Sequence, residues 1–134
     1  MTPIEILETY RTFAVVGLSD KPDRPSHSVA SFLKRRGYRI VPVNPNLTQV
    51  LDEPCYPRLE AIPFPVEVVD IFRRSELVGP IVDEAIAIGA KAVWMQLGVV
   101  NEPAAARARA AGLHVVMDRC PAIELRAAQR PPDL

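Results

Sequence analysis

Residues Gly17 to Ser28 (Gly-Leu-Ser-Asp-Lys-Pro-Asp-Arg-Pro-Ser-His-Ser) gather the parts of an anion site. Gly17 lets the backbone approach closely, Leu18 and Ser19 follow it, and cations stand at Lys21 and Arg24. Ser26, His27 and Ser28 open a stretch with helical periodicity, in which Ser26 or Ser28 can cap. Unpaired N–H groups at a helix start, the positive end of its dipole and nearby cations all favour phosphate. The same residues also fit a plain tight turn before a capped helix, with Lys21 and Arg24 as solvated charges. Spacing alone divides evenly between the two.

Other residues able to react are few. Cys120 precedes Pro121 at a strand-to-helix junction, where a thiol can serve as a redox or acyl-accepting group. Cysteine is also among the most buried residue types, and a small buried hydrophobe is the favoured reading. Cys55 lies between prolines, and no spacing pairs it with Cys120. His27 and His114 are the only histidines, and His114 falls inside a strand. Two cysteines and two histidines without ligand spacing make no metal site. Asp70 has the place of a phosphoacceptor aspartate, but Gly17-Leu18 stands where the acidic pair that holds magnesium would be, which discards phosphorelay chemistry. Asp118-Arg119 reads as a local ion pair or a helix-start anion. No Ser-His-Asp or paired-carboxylate arrangement can be assembled, so no catalytic residues are expected.

These residues lie where apolar runs end. Thr12–Leu18, Tyr38–Val43, Val66–Phe72, Lys91–Gln96 and Leu113–Met117 are short and nearly continuously apolar, the pattern of parallel strands covered on both faces. Pro42 implies that one side of the second run is poorly paired. Helical patterns separate the runs. A short helix starts at Thr2-Pro3, with Ile4, Ile6 and Leu7 inward. A second carries Val29, Phe32 and Leu33 and stops at Gly37. A third spans about Ser75 to Ile88, capped by Ser75 or Gly79. Asn101 caps a fourth, Glu102–Ala111, and Pro121 starts a fifth with Ile123 and Leu125 as core candidates. Gln49 to Pro65, with four prolines, allows one short strand near Val50-Leu51 and a helical turn at Leu59–Ile62. Arg130–Leu134 reads as a frayed tail.

Strands alternating with helices require right-handed crossovers, giving an α/β fold: a doubly wound, mostly parallel sheet in three α/β/α layers, Rossmann-like, formed by residues 1–134 as one domain. In such sheets ligands lie beyond the carboxyl ends of the strands, where strand order reverses. The ends here carry Gly17-Leu18-Ser19, Val43-Asn44-Pro45, Phe72-Arg73, Gln96-Leu97-Gly98 and Asp118-Arg119-Cys120.

Composition narrows the partners. Sixteen basic residues balance 16 acidic ones, so no global field draws in nucleic acid or an anionic membrane. No apolar run approaches the ~20 residues of a membrane span. Two cysteines and a start without a secretory layout imply reduced thiols and a cytoplasmic location.

Four segments carry a resemblance to a known family: Val15-Val16-Gly17-Leu18-Ser19-Asp20-Lys21-Pro22, Gly37-Tyr38-Arg39-Ile40-Val41-Pro42-Val43-Asn44-Pro45, Ala92-Val93-Trp94-Met95-Gln96-Leu97-Gly98-Val99 and Met117-Asp118-Arg119-Cys120-Pro121. With them the chain resembles the CoA-binding domain family of small bacterial Rossmann-like proteins, related to the amino-terminal domain of the succinyl-CoA synthetase α subunit. The resemblance covers nearly the whole chain. It implies a diphosphate near Gly17, Leu18, Ser19 and the Ser26–Ser28 helix start, and adenosine against Val43-Asn44-Pro45. Phe72 and Arg73 would border the adenine and the phosphates, and Gln96-Leu97-Gly98 the pantetheine arm. The multi-glycine loop of the synthetase is reduced here to Gly17 and a longer loop with prolines. The synthetase's second domain, with its phosphorylated histidine, has no expected counterpart.

The residues themselves lean the same way. A dinucleotide fold usually offers three glycines after the first strand and an acid after the second. Here Gly17 stands alone and Asn44-Pro45 replaces the acid. A carboxylate there would repel the ribose 3′-phosphate of CoA, whereas Asn44 with Lys21, Arg24 or Arg73 tolerates it; NADP carries a comparable phosphate. The expected function is binding of CoA or acyl-CoA without catalysis, leaving room for a protein partner or a homo-oligomer. Two alternatives are an NAD(P)- or CoA-thioester-dependent enzyme using Cys120, and an interaction subunit with a vestigial pocket.

Overall fold

The computed structural model describes residues 1–129, and the expected tail at 130–134 lies outside them. In chain order the elements are α1 (Pro3–Thr9), β1 (Thr12–Val16), α2 (Pro25–Arg35), β2 (Arg39–Val43), β3 (Gln49–Val50), β4 (Glu53–Pro54), β5 (Val68–Ile71), α3 (Val78–Ala87), β6 (Ala92–Met95), α4 (Glu102–Ala110), β7 (His114–Val116) and α5 (Pro121–Ala128). The five long apolar runs form one parallel sheet in the order β2-β1-β5-β6-β7. Every residue of β5 and of β6 is buried, as expected of the near-continuous apolar runs of strands covered on both faces, and Asp70 of β5 is the one polar residue among them.

Helices α1, α2 and α5 pack on one face, over Phe13, Val15, Val68, Trp94 and Val116. Helices α3 and α4 cover Ala14, Val69, Ile71, Val93 and Met95 on the other. The chain moves outward from β1 to β2, then crosses to β5 and proceeds the opposite way. Strand order therefore reverses between β1 and β5.

Local sequence explains most of the element ends. Thr2 and Glu5 form a reciprocal capping box at α1, and the Asn101 side chain accepts from the Ala104 N–H, 3.0 Å. Pro42 sits on an edge strand whose outer backbone pairs at Tyr56: the Pro42 carbonyl accepts from the Tyr56 N–H, 3.0 Å, and the Asn44 N–H donates to the Tyr56 carbonyl, 2.9 Å. β3 and β4 form a two-residue hairpin turning on Leu51 and Asp52, both at positive φ.

Several expectations change. Neither Ser26 nor Ser28 caps α2: the N-cap is Arg24, without a side-chain bond. The Ser26 hydroxyl accepts from the Ser19 N–H instead, 3.0 Å, and Ser28 donates to the Pro25 carbonyl, 3.1 Å. The third helix breaks into a 3-10 turn, Ser75–Leu77, and α3 proper. Neither Ser75 nor Gly79 caps it, because Ser75 is engaged by the loop before α4: its hydroxyl accepts from the Val100 N–H and its carbonyl from the Asn101 amide, both 2.9 Å. Ile123 is 52% exposed, since α5 turns Pro121, Ala122 and Leu125 inward. Asp118 and Arg119 do not pair: Arg119 binds Glu124 at 2.8 Å, and Asp118 accepts from the Gly98 N–H at 2.7 Å.

Candidate functional site

Beyond the carboxyl ends of β1 and β5, at the reversal point, Gly17 brings two loops together. It has φ +85°, and a Cβ there would lie 2.3 Å from the Phe72 carbonyl oxygen, a clash that only glycine avoids. The Gly17 N–H donates to the Val43 carbonyl and the Phe72 N–H to the Val16 carbonyl, both 2.9 Å. The β1 exit is thereby tied to the exits of both neighbouring strands.

A cleft of about 840 Å³ opens from this junction on the α2 and α5 side of the sheet. Gly17, Ser19, Lys21, Arg24, Ser26, Phe72, Arg73, Gln96 and Leu97 line it, as do Pro25, Val29, Arg74, Val99 and Cys120. Four cations and no carboxylate face the space. Lys21, Arg24 and Arg73 make no ion pair among the described residues, while exposed Arg74 meets Glu76 at 3.5 Å. The loop is ordered from within: the Ser19 N–H reaches Ser26, and the Lys21 N–H donates to the Ser19 hydroxyl, 3.1 Å.

At the far end lies Gln96, only 7% exposed, whose Oε1 has no hydrogen-bond partner. A buried amide oxygen left unpaired costs about 1–3 kcal/mol. Cys120 stands beside it. The Arg119 N–H donates to the Met95 carbonyl, 3.4 Å, and the Trp94 indole N–H to the Arg119 carbonyl, 2.8 Å, which holds the segment before Cys120 against the end of β6.

A second hollow, about 370 Å³, adjoins the first at Gly17, Phe72 and Arg73. Val43, Asn44 and Pro45 form one wall, and Arg58, Leu59, Ile81 and Glu84 the other. Asn44 is fixed by its own bonds: its amide donates to the Leu18 carbonyl, 3.1 Å, and its Oδ1 accepts from the Asn46 N–H, 2.9 Å. Burial, with Glu60 nearby, raises the Glu84 pKa, which Arg58 partly opposes.

Four of the residues singled out in the sequence line neither hollow. The Leu18 side chain is fully buried in the core, so only its backbone borders the site. His27 and Ser28 lie on α2 beyond the cleft wall, and the Gly98 N–H is taken by Asp118. Sequence reasoning missed Val29, which reads as an ordinary core position, Val99, which falls in the loop after Gln96, and Arg58 and Ile81, which no strand end marks. Among the described residues no cluster of His, Cys, Asp and Glu could hold a metal, and no helix is long and apolar enough to cross a membrane.

Asp70 is the one buried acid of the sheet. Fully enclosed on β5, between Val15 and Trp94 in register, it has neither oxygen hydrogen-bonded. Loss of solvent raises its pKa to about 8, outweighing the favourable Ile71 amide. It lines neither hollow, so it is a feature of the core beneath the site.

A doubly wound parallel sheet with a cation-lined cleft at its reversal point is the architecture of α/β domains that bind nucleotides there. Comparison with known proteins narrows the class: a family model described as CoA binding domain matches residues 11–126, and the chain belongs to that family. It is 40% identical to YneT of Bacillus subtilis over 116 residues, 87% of this chain and 86% of that one. A solved structure from Pyrococcus horikoshii OT3 superposes with a TM-score of 0.90 at 39% identity, covering 95% of this chain and 92% of the other. The ADP-forming acetate–CoA ligase II of Archaeoglobus fulgidus is 32% identical over 95 residues, which span 69% of this chain but 14% of the ligase.

Proposed function

We propose that this chain binds coenzyme A, or an acyl-CoA, and catalyses no reaction on it. The carrying observation is the cleft: four cations and no carboxylate at its mouth, leading past apolar Val29, Leu97 and Val99 to the unpartnered oxygen of Gln96. That order matches the ligand. The diphosphate takes the Gly17–Ser19 loop and the start of α2, where amide donors and the helix dipole favour anions. Lys21, Arg24 and Arg73 meet the phosphates, with Arg73 also able to meet the ribose phosphate from the adjoining hollow. The pantetheine arm runs over the apolar floor, and Gln96 Oε1 accepts from one of its amides. Adenosine takes the second hollow against Val43-Asn44-Pro45, where Asn44 introduces no charge to repel the 3′-phosphate.

The binding reading needs no acid or base. Thermal shift against CoA, dephospho-CoA, NAD and NADP tests it, since a ligand at 100 times its Kd adds about 2.7 kcal/mol of stability. The expected order puts CoA above dephospho-CoA and both above the nicotinamide dinucleotides. A larger shift with NADP than with CoA, or none with any of the four, would overturn it.

A further inference from the structure

Cys120 is the unassigned nucleophile of the cleft. It is 5% exposed, and the little access it has is from the ligand space that it lines. It occupies the N-cap position of α5 without capping that helix through its side chain, so the sulfur is not committed to another role. Its neighbour across the strand ends is Gln96, buried, unpartnered and lining the same space. From Gly17 after β1 to Cys120 after β7 there are three strand spacings, about 14 Å at the usual separation of paired strands. A ligand held by its phosphates at Gly17 therefore needs an extended arm to arrive at Cys120, and a pantetheine arm ends in a thiol.

Resting on the CoA reading of the cleft, we propose that Cys120 exchanges with the disulfide form of the bound carrier to give a protein–CoA mixed disulfide. The Cys120 thiol gives up its proton, and its sulfur attacks one sulfur of CoA disulfide. The old S–S bond breaks as the new one forms, and the departing CoA thiolate takes up a proton. One disulfide is exchanged for another with no net oxidation, and a second thiol reverses the step. It consumes the protein's own thiol stoichiometrically and is not a turnover. The cleft would then respond to the thiol–disulfide state of its ligand.

The second cysteine provides an internal control. Cys55 lines neither hollow, and burial pushes its thiol pKa up, which lowers its thiolate fraction. Little-exposed Cys120 reacts through a seated ligand, whereas Cys55 gains nothing from ligand binding.

The test incubates the reduced full chain, freed of reductant, with CoA disulfide, and with pantethine, the disulfide of the same arm without nucleotide. Intact mass and peptide mapping follow the product. The expected product is one adduct, a gain of CoA less two hydrogens, on Cys120 and removed by dithiothreitol. It should form at least roughly tenfold faster with CoA disulfide than with pantethine, because seating raises the local concentration of the disulfide. It should persist in Cys55→Ser and vanish in both Cys120→Ser and Cys120→Ala. An adduct on Cys55 alone, equal rates with the two disulfides, or no adduct overturns the inference. Thermal shift of the wild-type chain with CoA under reductant separates the two levels: a shift without an adduct refutes the exchange and leaves the binding reading intact, and absence of both refutes both.

Discussion

Replacing Asp70 with asparagine isolates the cost of placing an ionisable group in the sheet. The carboxyl is fully buried without a hydrogen bond, and its pKa in the fold is about 8, against ~3.9 for an aspartate in an unfolded chain. The folded protein therefore keeps a proton that the unfolded chain releases. Below about pH 4 both states hold it and Asp70 carries no pH-dependent penalty. From there to pH 8 the unfolded state gains about 1.4 kcal/mol per pH unit, and the stability present at low pH is lost. By pH 7 the loss approaches roughly 4 kcal/mol, a ceiling because interiors relax and admit water around a buried charge. An asparagine at this position is neutral throughout. Its amide brings its own unpaired groups, a constant offset, so the readout is the slope of the stability difference with pH. Trp94 is the only tryptophan and is fully buried, which makes its fluorescence a direct monitor of urea unfolding from pH 5 to 9. Asp70→Asn should gain on the wild type by about 1.4 kcal/mol per unit between pH 5 and 7 and level off near pH 8. A stability difference constant across that range would refute an Asp70 held neutral in the fold.

Three further substitutions address the cleft. Gly17→Ala should lower stability by more than about 2 kcal/mol, since a left-handed residue alone costs ~1–2 kcal/mol and the new Cβ would strike the Phe72 carbonyl; melting temperature and CoA titration should both fall. Ser26→Ala removes the acceptor for the Ser19 N–H and should cost about 1 kcal/mol, with amide hydrogen exchange at Ser19 rising. Arg73→Ala should leave unfolding nearly unchanged, because the side chain is exposed and unpaired among the described residues. It should weaken CoA about tenfold or more by calorimetry, from ~1.5 kcal/mol for a hydrogen bond to a charged phosphate.

How much was legible in the sequence depended on how local the determining physics is. The parallel strands show because burial on both faces demands nearly unbroken apolar runs, as in Ala92–Met95 and, interrupted only by Asp70, Val68–Ile71. Asn101 and Thr2 cap because their partners lie three residues away. Ser26 misled for the complementary reason: its hydroxyl has a tertiary competitor, the Ser19 N–H, that no helical spacing reveals. Ser75 is likewise claimed by Val100 and Asn101, 25 and 26 residues away. Ile123 carries the right residue type on the wrong side of a short helix. Within the site, the strand-end rule found Gly17, Asn44, Phe72, Arg73 and Gln96, whereas Arg58 reaches the second hollow from the edge of a 3-10 turn at Leu59–Ala61, and Ile81 and Glu84 reach it from α3.

With zero net charge over the chain, the local balance of charge in the cleft is what an anion meets. Elsewhere on the surface Lys34 meets Glu53, Arg107 meets Asp83 and Arg119 meets Glu124, and such exposed pairs contribute little stability. Lys21, Arg24 and Arg73, three of the cations outside any ion pair among the described residues, share one cleft, and the acids closest in sequence, Asp20, Asp23 and Glu76, line none of it. Exposed charges farther apart than about 8 Å are largely screened at physiological salt, so an anionic ligand senses this local asymmetry only once it is in the cleft. Discrimination among adenylated cofactors then depends on the part of the ligand beyond its phosphates. The apolar floor and the unpaired Gln96 oxygen suit an amide-bearing aliphatic arm better than a second, hydroxyl-rich nucleoside, because a sugar would leave its hydroxyls facing Val29, Leu97 and Val99 without partners.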